Sequence, residues 1–203
     1  MTTALPIGWV LRASTVGFAV GCRVLPRELQ LEANLPSFGD LVKVPLPDGV
    51  AIFGLIYDVQ VRDDPAVRQL ILAAELEAEI MRDQRENRLV PIELSVLVVG
   101  YQREGERPIQ GLPPQPPISL DSLTLCDDAD IRTFTEQLDY LRLVSTAAQI
   151  PCDELLIANL RRAALVRSPE TRRQFLLDAG RELARLLSFD LVRLDGILRR
   201  IKP

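Results

Sequence analysis

Residues 16–25, VGFAVGCRVL, decide the fold class because they alternate without a break. Val16, Phe18, Val20, Cys22 and Val24 fall on one side, and Gly17, Ala19, Gly21 and Arg23 on the other. A period of two with one apolar side is the mark of a half-buried strand. The two glycines opposite permit the sharp coiling a strand needs when a small sheet closes on itself. Working outward, residues 29–35 repeat the pattern, with Leu29, Leu31, Ala33 and Leu35 opposing Gln30, Glu32 and Asn34. Turn chemistry at 36–40 and 45–49 brackets a short strand at 41–44. Residues 51–61, AIFGLIYDVQV, place Phe53, Leu55, Tyr57, Val59 and Val61 on one side, and 92–101, IELSVLVVGY, form a fifth strand. Residues 118–125 offer a short closing strand. The pattern predicts an α+β protein that opens with a small Greek-key-like β-barrel of five or six strands over residues 1–101.

One helix interrupts the strands, spanning 65–87. Asp64 is placed to cap it, Pro65 suits its first position, and Val67, Leu70, Ile71, Ala74, Ala78 and Met81 recur at helical spacing. Its carboxylates, Glu75, Glu77, Glu79 and Asp83, read as a solvated face offset by Arg82 and Arg85. Residues 102–126 contain the proline-rich run QREGERPIQGLPPQPP and read as a semi-rigid linker ending in the closing strand. From 127 to 203 the period turns helical, and a bundle of about four helices is expected. Ile131, Phe134, Leu138, Leu141 and Val144 mark the first, and Leu155, Leu156, Leu160, Ala163 and Ala164 the second. Leu176, Ala179, Leu183 and Leu187 mark a third, opened by Ser168 and Pro169, and Leu191, Leu194, Leu198 and Ile201 a fourth.

Composition excludes much chemistry. Hydrophobic residues make up 47% and charged residues 26% of the 203, which is ordinary globular composition. There is no histidine, which removes the commonest general base, the commonest zinc ligand and the usual serine or cysteine triads. Cys22, Cys126 and Cys152 are odd in number and widely spaced, so they read as reduced thiols and not as a disulfide or zinc framework. A phosphate-binding loop needs a glycine-rich turn, a lysine and a Ser or Thr. Lys43 and Lys202 are the only lysines, and the nearest approach, Gly39 followed by Lys43, lacks the second glycine and the hydroxyl. The expectation is a non-enzyme with no catalytic residues, no cofactor and no metal. No apolar run approaches the roughly 20 residues a membrane span requires. The opening MTTALPIGWVLRAS lacks the basic start of a secretion signal, so a cytoplasmic location without membrane insertion is expected.

Charge is unevenly placed. Residues 1–150 hold 13 basic and 21 acidic groups, net −8, whereas 151–203 hold 11 and 7, net +4. The candidate basic surface is Arg161, Arg162, Arg172, Arg173, Arg199 and Arg200, which would contact phosphates if the side chains converged. Interleaved acids such as Glu182, Asp190 and Asp195, with few aromatics for stacking, argue instead for a salt-bridged exterior. The same helices would equally present an apolar groove to another protein.

The opening strand, the segment FGDLVKVPLPDG (38–49), AIFGLIYDVQV with its central Gly54, VLVVGY (96–101) and the later GLPPQPPIS (111–119) together resemble the HAS-barrel. This is the N-terminal barrel of HerA-type ATPases and of ATP synthase catalytic subunits. The resemblance covers about residues 16–125. In that family the barrel forms a crown that helps to assemble a ring and, in HerA-like proteins, faces a partner. Where such a chain would continue into a P-loop motor, this one continues as helices, so no family catalytic residue has a counterpart. The resemblance implies a detached crown module. The expected function is a non-catalytic interaction or assembly protein that binds a protein partner or itself. The alternative is a nucleic-acid-binding accessory factor in DNA processing.

Overall fold

The computed structural model describes residues 6–24, 35–72 and 78–202. Six antiparallel strands close into a barrel. They are β1 (Gly8–Ala13), β2 (Gly17–Val24), β3 (Leu41–Pro45), β4 (Val50–Val61), β5 (Val90–Arg103) and β6 (Ser122–Leu125), in the order β1-β2-β5-β4-β3-β6 with β6 returning to β1. Closure leaves no edge strand along the ladder. The sequence pattern missed β1, because Trp9 and Leu11 on its outer side are apolar yet half-exposed, which hides the alternation around the inward Val10. Of the strand expected at 29–35, residues 29–34 lie outside the described residues.

The inside of the barrel is apolar. Phe18, Val20, Cys22 and Val24 of β2 meet Val42 and Val44 of β3, Ile52 and Ile56 of β4, and Ile92, Leu94, Val96 and Val98 of β5. Val16 belongs to the turn before β2 and is exposed, as are Val59 and Val61 at the far end of β4. Gly54 is required where it stands, since a Cβ there would come within 2.3 Å of Val96 Cγ1.

β4 and β5 are buried on both faces. Two bulges occur in their pairing, one leaving Val99 extra on β5 and the other Tyr57 extra on β4. A bulge re-aims the side chain it carries, and both residues join Phe53, Leu55 and Leu97 on the outside of the barrel, against the helices. Phe53 stacks on Phe134, ring centroids 5.0 Å apart. This second core therefore contains barrel and helical residues together.

Helices α1 (Pro65–Leu72) and α2 (Ala78–Asn87) lie in the segment inserted between β4 and β5. Asp64 accepts a hydrogen bond from the Ala66 N–H (2.9 Å) as the expected cap, and its other carboxylate oxygen pairs with Arg88. Glu79 and Asp83 are exposed; Glu75 and Glu77 lie outside the described residues.

After β6 come five helices where about four were expected: α3 (Asp128–Phe134), α4 (Tyr140–Ser145), α5 (Cys152–Leu165), α6 (Pro169–Leu186) and α7 (Leu191–Ile201). The single first helix expected from the Ile131-to-Val144 stripe is broken at 135–139. Gln110, from the proline-rich segment, plugs the break. Its amide donates to the Phe134 and Gln137 carbonyls (2.6 and 2.9 Å) and accepts from the Tyr140 N–H (2.9 Å). Thr135 turns its hydroxyl back to the Ile131 carbonyl (2.6 Å), and Arg167 donates to that hydroxyl (2.7 Å). The backbone groups orphaned by ending one helix and starting another are thus satisfied by side chains. A periodicity argument cannot see this, because the apolar stripe continues across the break.

Candidate functional site

Two concave surfaces and one exposed patch stand out, built from residue choices on α6 and α7 or where α4 and the segment after it meet the barrel. The α6–α7 pair forms the more apolar surface. Ser168 accepts a hydrogen bond from the Thr171 N–H, and Pro169 occupies the first turn, so α6 starts where the sequence indicated. Phe175, Ala179, Leu183 and Leu187 face the core. Asp190 caps α7 by accepting from the Arg193 N–H (3.0 Å), and Leu194, Ile197 and Ile201 are its buried side. Between the two helices the outward side is an open groove of about 840 Å³. Leu176, Leu177, Gly180 and Ala184 of α6 form its floor with Leu198 and Ile201 of α7, and Arg172, Arg173, Arg181 and Lys202 line its rim. Half of the Leu177 side chain faces solvent. At the α6–α7 turn, Phe189, Leu191 and Val192 have relative exposures of 103%, 68% and 87%. These three apolar side chains, close together in sequence, are exposed to solvent.

The second concavity, about 650 Å³, runs along the outside of the barrel where β2 and β5 meet the helical region. Gly17, Ala19 and Ser95 make a shallow floor, with Tyr57, Leu112, Leu143 and Ile150 as walls. Among the described residues no carboxylate lines it. Its charged member, Arg12, donates to Glu93 (2.7 Å), as does Arg62 from the other side (2.7 Å). Burial pushes the Glu93 carboxyl up, but the two guanidiniums outweigh it and hold the group below the usual carboxylate range.

The six arginines of the candidate basic surface separate by role. Arg172 donates to the Ala164 carbonyl (2.9 Å) and to the Leu165 and Arg167 carbonyls, closing the C-terminal end of α5. Arg199 pairs with Asp195 at 2.7 Å one turn earlier, and Arg200 grips Glu154 of α5 through two contacts of 2.5 Å. Arg162 borders a small cleft beside Asp40 and helps offset the burial that raises that carboxyl. Arg161, Arg162 and Arg173 are exposed and form no ion pair among the described residues. Only Arg172 and Arg173 are brought to one feature, the α6–α7 groove. Arg181 and Lys202 join them there, a grouping that sequence spacing would not have found, since Lys202 comes from another helix end.

The other residues weighed for chemistry have structural employment. Gly39 has φ +88°, and a Cβ there would meet the Ala158 Cβ at 2.5 Å, so it seats the barrel on α5. Lys43 pairs with Asp130 at 2.5 Å, tying β3 to α3. Cys22 and Cys126 are buried and their thiols pushed up by that burial, with Asp130 adding to the effect at Cys126. A thiol so placed stays protonated and is a poor nucleophile. Among the described residues, no cluster of three or more His, Cys, Asp or Glu is arranged to hold a metal ion, and no helix is long and apolar enough to cross a membrane. Compared with known protein families the chain matches no family model, and it matches no curated protein.

Proposed function

We propose that this chain is a non-catalytic interaction protein that binds a protein partner or assembles with itself, using the helical region as its contact face and the barrel as its rigid base. The observations that carry this reading are the apolar groove between α6 and α7 and, separately, the exposed Phe189, Leu191 and Val192 at the turn that joins them. Leaving such groups exposed forgoes roughly 25 cal/mol per Å² of burial, which a partner recovers. The barrel interior is filled by side chains, which suits a base and not a ligand cavity. We further propose that the barrel is of the HAS type. The closed six-stranded order, the helices inserted before β5 and the proline-rich segment after it support this reading.

The test is chromatography with light scattering on the wild type and on Phe189→Ser, Val192→Ser. The wild type is expected to run above the mass of one chain or to co-purify with a protein, and the variant to lose that behaviour while keeping its circular dichroism. The nucleic-acid alternative has less support, because three of its six arginines are engaged by carbonyls or carboxylates. It requires binding to DNA or RNA that weakens steeply as salt rises from about 50 mM.

A further inference from the structure

The α6–α7 groove has a shape and a charge that specify its occupant more narrowly than a protein partner in general. Among the described residues its lining includes four cations and no carboxylate, in a chain whose formal net charge is −4. From Pro169 to Ala184 it follows α6 for about 22 Å at the helical rise of 1.5 Å per residue, the length of an ordinary globular helix. Its floor is low in the middle because residue 180 is glycine. Packing against α7 does not demand that glycine, since a Cβ there would sit 3.4 Å from Leu198 Cδ2, an ordinary contact. Glycine inside a helix lowers helix stability relative to alanine, and here its effect is to deepen the trough from outside.

We propose that this groove docks an acidic amphipathic helix of a partner protein, its apolar stripe on Leu176, Leu177 and Leu198 over Gly180, and its carboxylates against Arg173 and Lys202. The helix lies along α6, as helix-in-groove recognition requires. The Arg172 guanidinium is turned to the Ala164, Leu165 and Arg167 carbonyls and Arg181 pairs with Asp178, so Arg173 and Lys202 carry the selectivity for anions. This inference rests on the interaction reading above and adds the class of partner.

The test titrates labelled 18-residue peptides into the whole protein. One peptide has a leucine stripe with glutamates on the other face, the second replaces every glutamate by lysine, and the third scrambles the first. Vesicles of phosphatidylglycerol form a separate arm. The acidic amphipathic peptide is expected to bind at least tenfold more tightly than the other two. Binding should weaken as salt rises and fall at least tenfold in Leu177→Glu and in the pair Arg173→Glu, Lys202→Glu. Because these side chains are exposed, the variants should keep the wild-type melting curve. Gly180→Ala should melt no lower than wild type, which separates a groove role from a packing role. Equal binding of the acidic and basic peptides, no binding of either, or binding indifferent to Leu177→Glu would overturn the inference. Capture by vesicles without capture of the peptide would replace the helix by a membrane surface and overturn it too. If the peptide fails but the wild type still assembles or retains a partner, the interaction reading stands without this one. If all fail, both fall.

Discussion

At the scale of single residues, the barrel and the helices are joined by a buried polar set whose members have few substitutes. Asn159 donates to the Gly39 carbonyl (3.1 Å) and accepts from the Tyr140 hydroxyl (2.7 Å). Asn159 is itself buried, so Asn159→Ala should cost about 2–4 kcal/mol by stranding two buried partners. Urea unfolding would show the loss as a lower midpoint at unchanged slope. Tyr140 is fully buried; burial drives its pKa up, and Arg167 offsets this only in part. Its folded value exceeds the unfolded value of about 10, so its contribution is complete below that pH and is lost as pH rises beyond it. Tyr140→Phe should therefore flatten the alkaline fall in stability, which melting at pH values on either side of about 10 would read. Glu93 works in the opposite direction. Its folded pKa is depressed, so its pairing with Arg12 and Arg62 holds above the ordinary carboxylate pKa and is lost as pH falls through the depressed value. Glu93→Gln should remove that part of the acid sensitivity.

At the scale of elements, caps and alternation were legible because they depend on neighbours in sequence. The alternation of β2 and the starts of α1 and α6 at Asp64 and Ser168 all follow from local backbone chemistry. The stripe of α5 held at all five positions, and Ile157 and Asn159 are buried in addition because α5 is enclosed on more than one side. What was hidden depends on distant partners. The break between α3 and α4 needs Gln110 and Arg167, and the outward Val99 needs a bulge opposite Phe53 and Gly54. The groove was legible only as an amphipathic stripe; that α7 leaves one flank of α6 open is a fact of packing, and so is the arrival of Lys202 beside Arg173. Gln110→Ala should loosen the α3–α4 junction, costing about 2–3 kcal/mol for the three bonds lost, partly rehydrated. Hydrogen exchange would show faster exchange at the Tyr140 amide.

For the whole molecule, the second core decides how the chain behaves. Leu41, Phe53, Leu55 and Val99 of the barrel are buried with Phe134, Tyr140, Leu156 and Leu160 of the helices. Barrel and helical region are thus expected to unfold in one transition, and removal of residues 127–203 to leave a sticky barrel face. Phe134→Ala, at the centre of that contact, should lower stability by about 3–5 kcal/mol and shift the barrel and helix signals together. A body so joined presents its outer helices, α6 and α7, as a rigid face, which is what an interaction protein requires. The most direct test is the mass of the native protein in solution, measured by light scattering as it leaves a sizing column after gentle purification. A mass above the 22.7 kDa of one chain, as an assembly of copies or with a bound protein, is the expected result. A single species at 22.7 kDa across the accessible concentration range, with nothing co-purifying, would contradict it.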